Sequence, residues 1–106
     1  MSITKHACVD NYIYLYISDK GCESVINLGD VSTITKSQWS AFIEDVKKDN
    51  SSSLVIGNGV KRMLCYEEER VVIYVLDHDG KFISWTSLES DECIPAFEDL
   101  LKHLQD

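Results

Sequence analysis

Residues 77–80 read Asp-His-Asp-Gly and combine two carboxylates with an imidazole, groups that bind metal ions or transfer protons. If Gly80 took the sixth position of a calcium-binding loop, Val75 would stand first and Thr86 twelfth, where that loop needs acidic ligands. The calcium interpretation therefore fails. The composition favours a tight turn, because Asp and Gly both tolerate the backbone of a turn.

The cysteines and histidines supply the components of a thiol nucleophile with an imidazole base. No sequence signature of a cysteine-dependent enzyme surrounds any of them, and no two cysteines have the spacing of a zinc ribbon or a thioredoxin site. We therefore expect reduced thiols and no bound metal. The residues are Cys8, Cys22, Cys65 and Cys93, with His6, His78 and His103.

Gly57-Asn58-Gly59 lacks the lysine and the length of a phosphate-binding loop and predicts a β-hairpin instead. The sequence contains neither Gly-x-Ser-x-Gly nor His-Glu-x-x-His, the signatures of serine hydrolases and zinc proteases. We therefore predict a protein that is not an enzyme and that uses no cofactor.

The chain has 106 residues, 44% of them hydrophobic and 26% charged, which is ordinary for one folded domain. No apolar run approaches a membrane span of about 20 residues. The first residues also lack the apolar stretch of a signal peptide. The sequence predicts a single domain over residues 1–106, located in the cytoplasm and without membrane contact.

Acidic side chains outnumber basic ones by 18 to 10, for a net charge of −8. This charge repels the phosphates of DNA and RNA and argues against direct nucleic-acid binding. Eight of the acids lie between Glu67 and Glu92, where the only bases are Arg70 and Lys81. Such a field attracts basic proteins and accelerates their association, although an acidic surface also serves solubility alone.

Strands are predicted in both halves of the chain from runs of β-branched and aromatic residues bounded by turn residues. In the first half they cover residues 12–17, 25–28 and 31–34. The continuous apolar run at residues 71–76 is typical of a central strand. The strands of the second half cover residues 54–56, 60–66, 71–76 and 82–85.

Each set of strands is followed by a predicted helix. Thr35 and Gln38 have the spacing of a capping box, and Trp39 begins an apolar helical stripe, so we expect Trp39 to be a core anchor. The second helix is predicted to begin near Ser90, with Pro95 tolerated only in its first turn. The two stripes are Trp39, Phe42, Ile43 and Val46, then Ile94, Phe97, Leu100, Leu101 and Leu104.

These elements predict an α+β fold: a mostly antiparallel sheet of six to eight strands in two meander-plus-helix units, with two helices packed on it. The units would correspond to a pseudo-repeat of residues 1–50 and 51–106. Two such units, with Thr35-x-x-x-Trp39-x-x-Phe42 at the first helix, resemble the single-stranded nucleic-acid-binding folds of the Whirly and transcriptional-coactivator type. That resemblance implies single-stranded nucleic-acid binding, for which those families use a basic sheet face, the opposite of this chain's charge.

Alternate turns of a meander lie at the same end of the sheet. The turn after Tyr66 and the segment after Trp85 are therefore expected at one end, and the turn at residues 77–80 at the other. Turns and helix N-termini also collect acids without a functional reason. We interpret the acids at both ends as residues that bind a basic partner. They are Glu67, Glu68, Glu69, Glu89, Asp91 and Glu92 at the first end, and Asp77 and Asp79 at the second.

The leading functional hypothesis is a small intracellular binding protein that neutralises a basic protein. The partner would be a nuclease-type toxin, with this chain as its immunity protein, or a nucleic-acid enzyme, with this chain as its acidic inhibitor. The alternative is a non-enzymatic structural or accessory protein that oligomerises through a sheet edge or an aromatic face. If the acids do not bind the partner, the contact would be sought on the alternating aromatics Tyr12, Tyr14 and Tyr16. Single-stranded nucleic-acid binding is the third hypothesis. The sequence is compatible with a monomer and with a homodimer.

Overall fold

The computed structural model describes residues 2–105, and within them seven strands form two antiparallel sheets. The first sheet has the order β1-β2-β3 and the second the order β4-β5-β6-β7. The predicted α+β class, antiparallel pairing and strand number are confirmed, but the strands divide between two sheets. Their bounds are β1 Ser2–Val9, β2 Tyr12–Asp19, β3 Cys22–Asp30, β4 Ser52–Ile56, β5 Lys61–Glu67, β6 Arg70–Leu76 and β7 Phe82–Glu89.

A helix follows each sheet: α1 covers Lys36–Lys47 and α2 covers Ser90–Leu100. The helices contact each other, and each also packs on the other half of the chain, α1 against β4 and α2 against β1. Because each helix packs on a strand of the other half, one hydrophobic core contains residues of both sheets and both helices. Within residues 2–105, neither helix is long and apolar enough to cross a membrane.

The start of α1 has the capping box that the sequence predicts. The backbone N–H of Gln38 donates to Thr35 Oγ1 at 3.1 Å, and the backbone N–H of Thr35 donates to Gln38 Oε1 at 2.8 Å. Trp39 is completely buried, which confirms its predicted place in the core.

The two sheets approach each other closely where β3 ends. A Cβ atom on Gly29 would lie 3.0 Å from Ile56 Cγ2, and the φ angle of Gly29 is +101°, a region that side chains rarely adopt. The backbone N–H of Gly57 also donates to Thr33 Oγ1 at 2.8 Å. A residue without a side chain at position 29 therefore lets the two sheets meet.

Three sequence-based expectations differ from the structure. Residues 31–34 were expected as a strand, but Val31–Thr33 forms a 3-10 turn, because the side chain of Asp30 accepts a hydrogen bond from the backbone of Ser32 at 2.9 Å. The sequence predicts no strand before residue 12, whereas the structure has β1 at Ser2–Val9. Pro95 lies in the second turn of α2, not the first. Proline has no N–H to donate to the backbone carbonyl one turn earlier. Because Pro95 is exposed, a water molecule can donate to that carbonyl instead.

Candidate functional site

The turn between β5 and β6 lies beside the junction of β7 and α2. Glu68 and Glu69 form this turn with φ angles of 51° and 65°. The backbone N–H of Ser90 donates to the carbonyl oxygen of Glu69 at 3.0 Å and so fixes the turn to the start of α2. As a result, the carboxylates that the sequence places far apart share one shallow depression of about 280 Å³, lined by Glu68, Glu69, Arg70, Glu89 and Asp91.

Arg70 is the one base in this depression, and its guanidinium is largely occupied. Its Nε donates to Ser87 Oγ at 2.7 Å, its Nη2 donates to the Ser87 carbonyl at 3.0 Å, and its Nη1 lies 3.9 Å from Glu89 Oε1. One cation therefore stands among several exposed carboxylates, which leaves a net negative surface. We call this surface the acidic end: Glu67, Glu68, Glu69, Glu89 and Asp91.

Glu67 belongs to the acidic end because it pairs in register with Arg70. Glu92 does not: its Oε2 accepts a hydrogen bond from the backbone N–H of Ile3 at 3.4 Å, on the side of α2 that faces β1. Five of the six acids expected at this end are thus brought together. The sixth points elsewhere because successive residues of a helix project in different directions.

Asp77 and Asp79 lie in the turn between β6 and β7, at the opposite end of the second sheet. Asp77 Oδ1 accepts hydrogen bonds from the backbone N–H groups of Asp79 and Lys81, each at 2.9 Å. Asp77 therefore has a turn-forming role of its own.

An apolar strip crosses the second sheet on the face turned away from the core. Its members are opposite one another in register on four neighbouring strands. Leu64 and Ile73, the chain neighbours of Met63 and Tyr74, point the other way and are buried, and so is Leu88, three residues from Trp85. The strip consists of Val55, Met63, Tyr74 and Trp85. We call it the outer strip.

The first half of β7 is the most exposed apolar segment among the described residues. Phe82 and Trp85 each retain 66% of their accessible surface and Ile83 retains 61%. The ring of Phe82 lies against Tyr74 with centroids 5.0 Å apart. Sequence reasoning recognised this strand but not its exposure, because only the strand order reveals that β7 is an edge.

The outer strip shares its face of the second sheet with two members of the acidic end, Glu67 and Glu89. The other members lie at the same end, in the turn between β5 and β6 and in α2. Along β7, Trp85 and Glu89 are four residues apart and therefore project to the same side. The row Glu67, Arg70 and Glu89 is in register across β5, β6 and β7, four residue pairs along the strands from the strip. This face thus combines exposed aromatic rings with a rim of negative charge.

The aromatic residues of β2 form a second, less exposed face. Ile13, Leu15 and Ile17 point into the core, so the three tyrosines at positions 12, 14 and 16 lie on the opposite face of the first sheet. Tyr12 is 39% exposed, whereas Tyr14 and Tyr16 are half-buried. Lys5 Nζ lies 4.3 Å above the ring centroid of Tyr16 and so brings a positive charge to this face.

His6 in β1 and Asp99 in α2 form a surface pair, with 2.6 Å between Nε2 and Oδ2. The hydrogen bond from His6, helped by Lys102 at 3.4 Å, lowers the pKa of the Asp99 carboxyl. This pair connects β1 to α2.

Within residues 2–105, no three His, Cys, Asp or Glu side chains are placed to share a metal ion.

The four cysteines differ widely in accessibility. Cys93 is fully buried, and burial raises the pKa of its thiol to about 12, while burial also raises the pKa of Cys65. A thiol that stays protonated is a poor nucleophile at neutral pH. Cys8 is half-buried and Cys22 is exposed.

In comparisons with known proteins, no family model, no curated protein and no solved structure matches this chain.

Proposed function

We propose that this chain is a small acidic binding protein that neutralises a basic protein partner. The partner is a nuclease-type toxin, for which the chain is the immunity protein, or a nucleic-acid enzyme, for which it is an acidic inhibitor. One observation carries the proposal: the outer strip shares one sheet face with Glu67 and Glu89, and the rest of the acidic end adjoins that face at the same end of the sheet.

Exposed aromatic side chains support a protein partner. Trp85 and Phe82 leave two-thirds of their surface in water, although tryptophan and other large side chains gain most from burial. Tryptophan is also enriched among the residues that dominate binding energy at protein interfaces. An apolar patch with a charged rim is typical of a binding surface.

The charge of the rim supports a basic partner. Five carboxylates surround one occupied arginine at the acidic end, and the whole chain carries a net charge of −8. Such a field accelerates the encounter with a positively charged surface and disfavours acidic competitors. A nuclease or another nucleic-acid enzyme presents this kind of surface, because it binds phosphates.

The proposal is non-catalytic, since the chain would act by occupying the partner's basic site. It also includes a cytoplasmic location. The four cysteines are free thiols, and thiols stay reduced in the cytosol.

The test begins with affinity capture of the partner, its identification by mass spectrometry and its purification. Stopped-flow association with this chain is then measured across a salt series, together with the partner's nucleic-acid-cleaving or nucleic-acid-processing activity. We expect a basic partner, an association rate that falls at least tenfold as salt increases, and loss of activity at equimolar chain. The proposal would be overturned if the association rate of the captured protein did not change with salt concentration, or if its activity persisted in the complex.

A pair of matched variants tests the surface itself. Trp85→Ser removes an exposed ring from the outer strip, and we expect at least tenfold weaker binding. Val25→Ser removes an apolar side chain that is 55% exposed on β3 of the other sheet, and binding should not change. Equal effects of the two substitutions would contradict the assignment.

A second candidate function is self-association, favoured by the exposed apolar half of β7 at a sheet edge. Light scattering of the purified chain across a concentration series decides between the two. A stable dimer that Trp85→Ser dissociates would establish self-association, and a monomer at all concentrations would exclude it.

A further inference from the structure

We propose that β7 is a docking edge at which an extended, basic segment of the partner adds to the second sheet as a further strand. This inference rests on the proposed function and specifies how the partner binds. The partner segment is about eight residues long. Its centre alternates apolar and polar side chains, and it carries lysine or arginine at both ends.

The backbone of β7 is available for such pairing. In the strand order β4-β5-β6-β7, β7 has β6 on one side and no strand on the other among the described residues. In an antiparallel strand, alternate N–H and C=O groups point to the two sides, so the outer half of these groups faces away from β6. Unpaired groups of this kind are a template for an added strand.

Both faces of β7 are open over its first half. Phe82, Ile83, Ser84 and Trp85 are all exposed. The register with β6 shifts between Phe82 and Ser84, so the ring of Phe82 lies against Tyr74 on the same face as Trp85, whereas Ser84 points to the opposite face. The helix α2 contacts β7, whose buried residue is Leu88 near the strand's other end. An added strand can therefore reach the first half of the edge and cover the rings of Phe82 and Trp85.

Negative charge lies at both ends of this edge. Asp77 and Asp79 precede β7 in the turn, and Glu89 and Asp91 lie at the junction with α2. The eight residues of β7 span about 26 Å at roughly 3.3 Å per residue. A segment of matching length with a cation at each end would meet carboxylates at both ends and apolar side chains between them.

The same charge pattern disfavours a second copy of this chain as the occupant. Antiparallel pairing of two β7 strands would bring the Asp77–Asp79 turn of one copy to Glu89 and Asp91 of the other. Parallel pairing would bring identical acidic ends together. Either arrangement places carboxylates against carboxylates in molecules that each carry a charge of −8.

The test uses two synthetic peptides of ten residues with capped termini. The first has two lysines at each end and six alternating valine and threonine residues between them. The second has the same lysines, but its three threonines are replaced by proline, which has no N–H to donate and disrupts a strand. The two peptides have equal charge, so they differ in their capacity for backbone pairing.

Two readouts report the binding. Trp39 is fully buried and Trp85 is exposed, so a change in tryptophan emission or acrylamide quenching reports the surroundings of Trp85. Amide hydrogen exchange by NMR reports whether the outward N–H groups of β7 become protected. We expect the first peptide to bind at least tenfold more tightly than the proline peptide and to protect amides of β7 but not of β3.

Matched variants locate the contact while keeping Trp85 as the reporter. Phe82→Ser on β7 should weaken binding of the first peptide at least tenfold. Val25→Ser on β3, an edge strand of the other sheet, should leave binding unchanged.

The outcomes separate this inference from the proposed function. Equal binding of the two peptides, or protection elsewhere than at β7, would overturn strand addition and leave salt-dependent binding of the basic partner intact. Failure of both peptides to bind would also overturn strand addition. A dimer of the chain alone, with β7 amides protected before any peptide is added, would show that a second copy occupies the edge and would overturn the inference. Failure of the proposed function itself appears in the partner's salt series, not in the peptides.

Discussion

The indole Nε1 of Trp39 in α1 donates a hydrogen bond of 2.8 Å to the backbone carbonyl of Phe97 in α2, and their rings lie with centroids 4.9 Å apart. Both side chains are completely buried. The two helices come from different halves of the chain, and each packs on the strands of the other half. This pair therefore connects the two meander-plus-helix units at the centre of their shared core.

We expect Trp39→Ala to lower the free energy of unfolding by about 3–5 kcal/mol, because it removes a large buried side chain and leaves a cavity. Trp39→Phe retains a ring but loses the hydrogen bond to Phe97, so its cost should be smaller, about 1–3 kcal/mol. Urea unfolding followed by circular dichroism measures both. Trp85→Phe on the exposed strand is the control, with an expected change within about 0.5 kcal/mol. Equal stability of Trp39→Ala and the wild type would contradict the core assignment.

The pair of His6 and Asp99 predicts a dependence of stability on pH. The hydrogen bond from His6 lowers the pKa of the Asp99 carboxyl below its usual 3.8 in the folded protein. A lowered folded-state pKa stabilises the protein above pH 3.8, and this contribution disappears as pH falls through the lowered value.

Asp99→Asn should therefore lose this acid-dependent contribution. We expect the difference in urea midpoint between wild type and Asp99→Asn to change in favour of the variant as pH falls from 5 to about 2. A difference that stays constant over this range would show that the Asp99 carboxylate is not stabilised by its contacts with His6 and Lys102.

The cysteines should react in the order of their exposure. Cys22 is exposed and should react first with Ellman's reagent, whereas Cys93 is buried with its pKa raised to about 12 and should react only as the protein unfolds. Four thiols should titrate in denaturant, and the native mass should include no zinc. Cys22→Ser should remove the fast phase. Fewer than four thiols, or a bound metal, would contradict the expectation of free, unligated cysteines.

Local signals in the sequence were sufficient where a few adjacent residues determine the structure. Thr35 and Gln38 cap α1 through their own side chains and backbone, so their spacing predicts the helix start correctly. Residues 12–17 and 71–76 are rich in β-branched and aromatic residues and form strands as expected. In each case the stabilising contacts lie close in sequence or repeat with a simple period.

Structure that depends on distant partners was not predictable in this way. The middle of β1 contains Lys5 and Ala7, residue types that are depleted in strands, and the pairing of β1 with β2 supplies its hydrogen bonds. The exposure of Phe82 and Trp85 follows from the position of β7 at a sheet edge, whereas the similar run at 71–76 is central. The acidic end was predictable apart from Glu92, because alternate hairpin turns lie on one side of any meander.

The acidic end gives the last prediction. Charge reversal of Glu68 and Asp91 to lysine should slow association with the basic partner at least tenfold at low salt and flatten the salt dependence of the rate. Both side chains are exposed, so the free energy of unfolding should stay within about 0.5 kcal/mol of the wild type. Association rates by stopped flow and urea unfolding measure the two effects.

The control for this prediction reverses two acids elsewhere, Glu23 on β3 and Glu44 on α1, and produces the same net charge. If position matters, Glu23→Lys with Glu44→Lys should slow association much less than Glu68→Lys with Asp91→Lys, because steering depends on charge near the contact. Equal slowing by both pairs would assign the effect to net charge. An unchanged rate and salt slope after reversal of Glu68 and Asp91 would make the acidic end an ordinary solvated surface. The contact would then be sought at the Asp77–Asp79 turn or on the tyrosine face of β2.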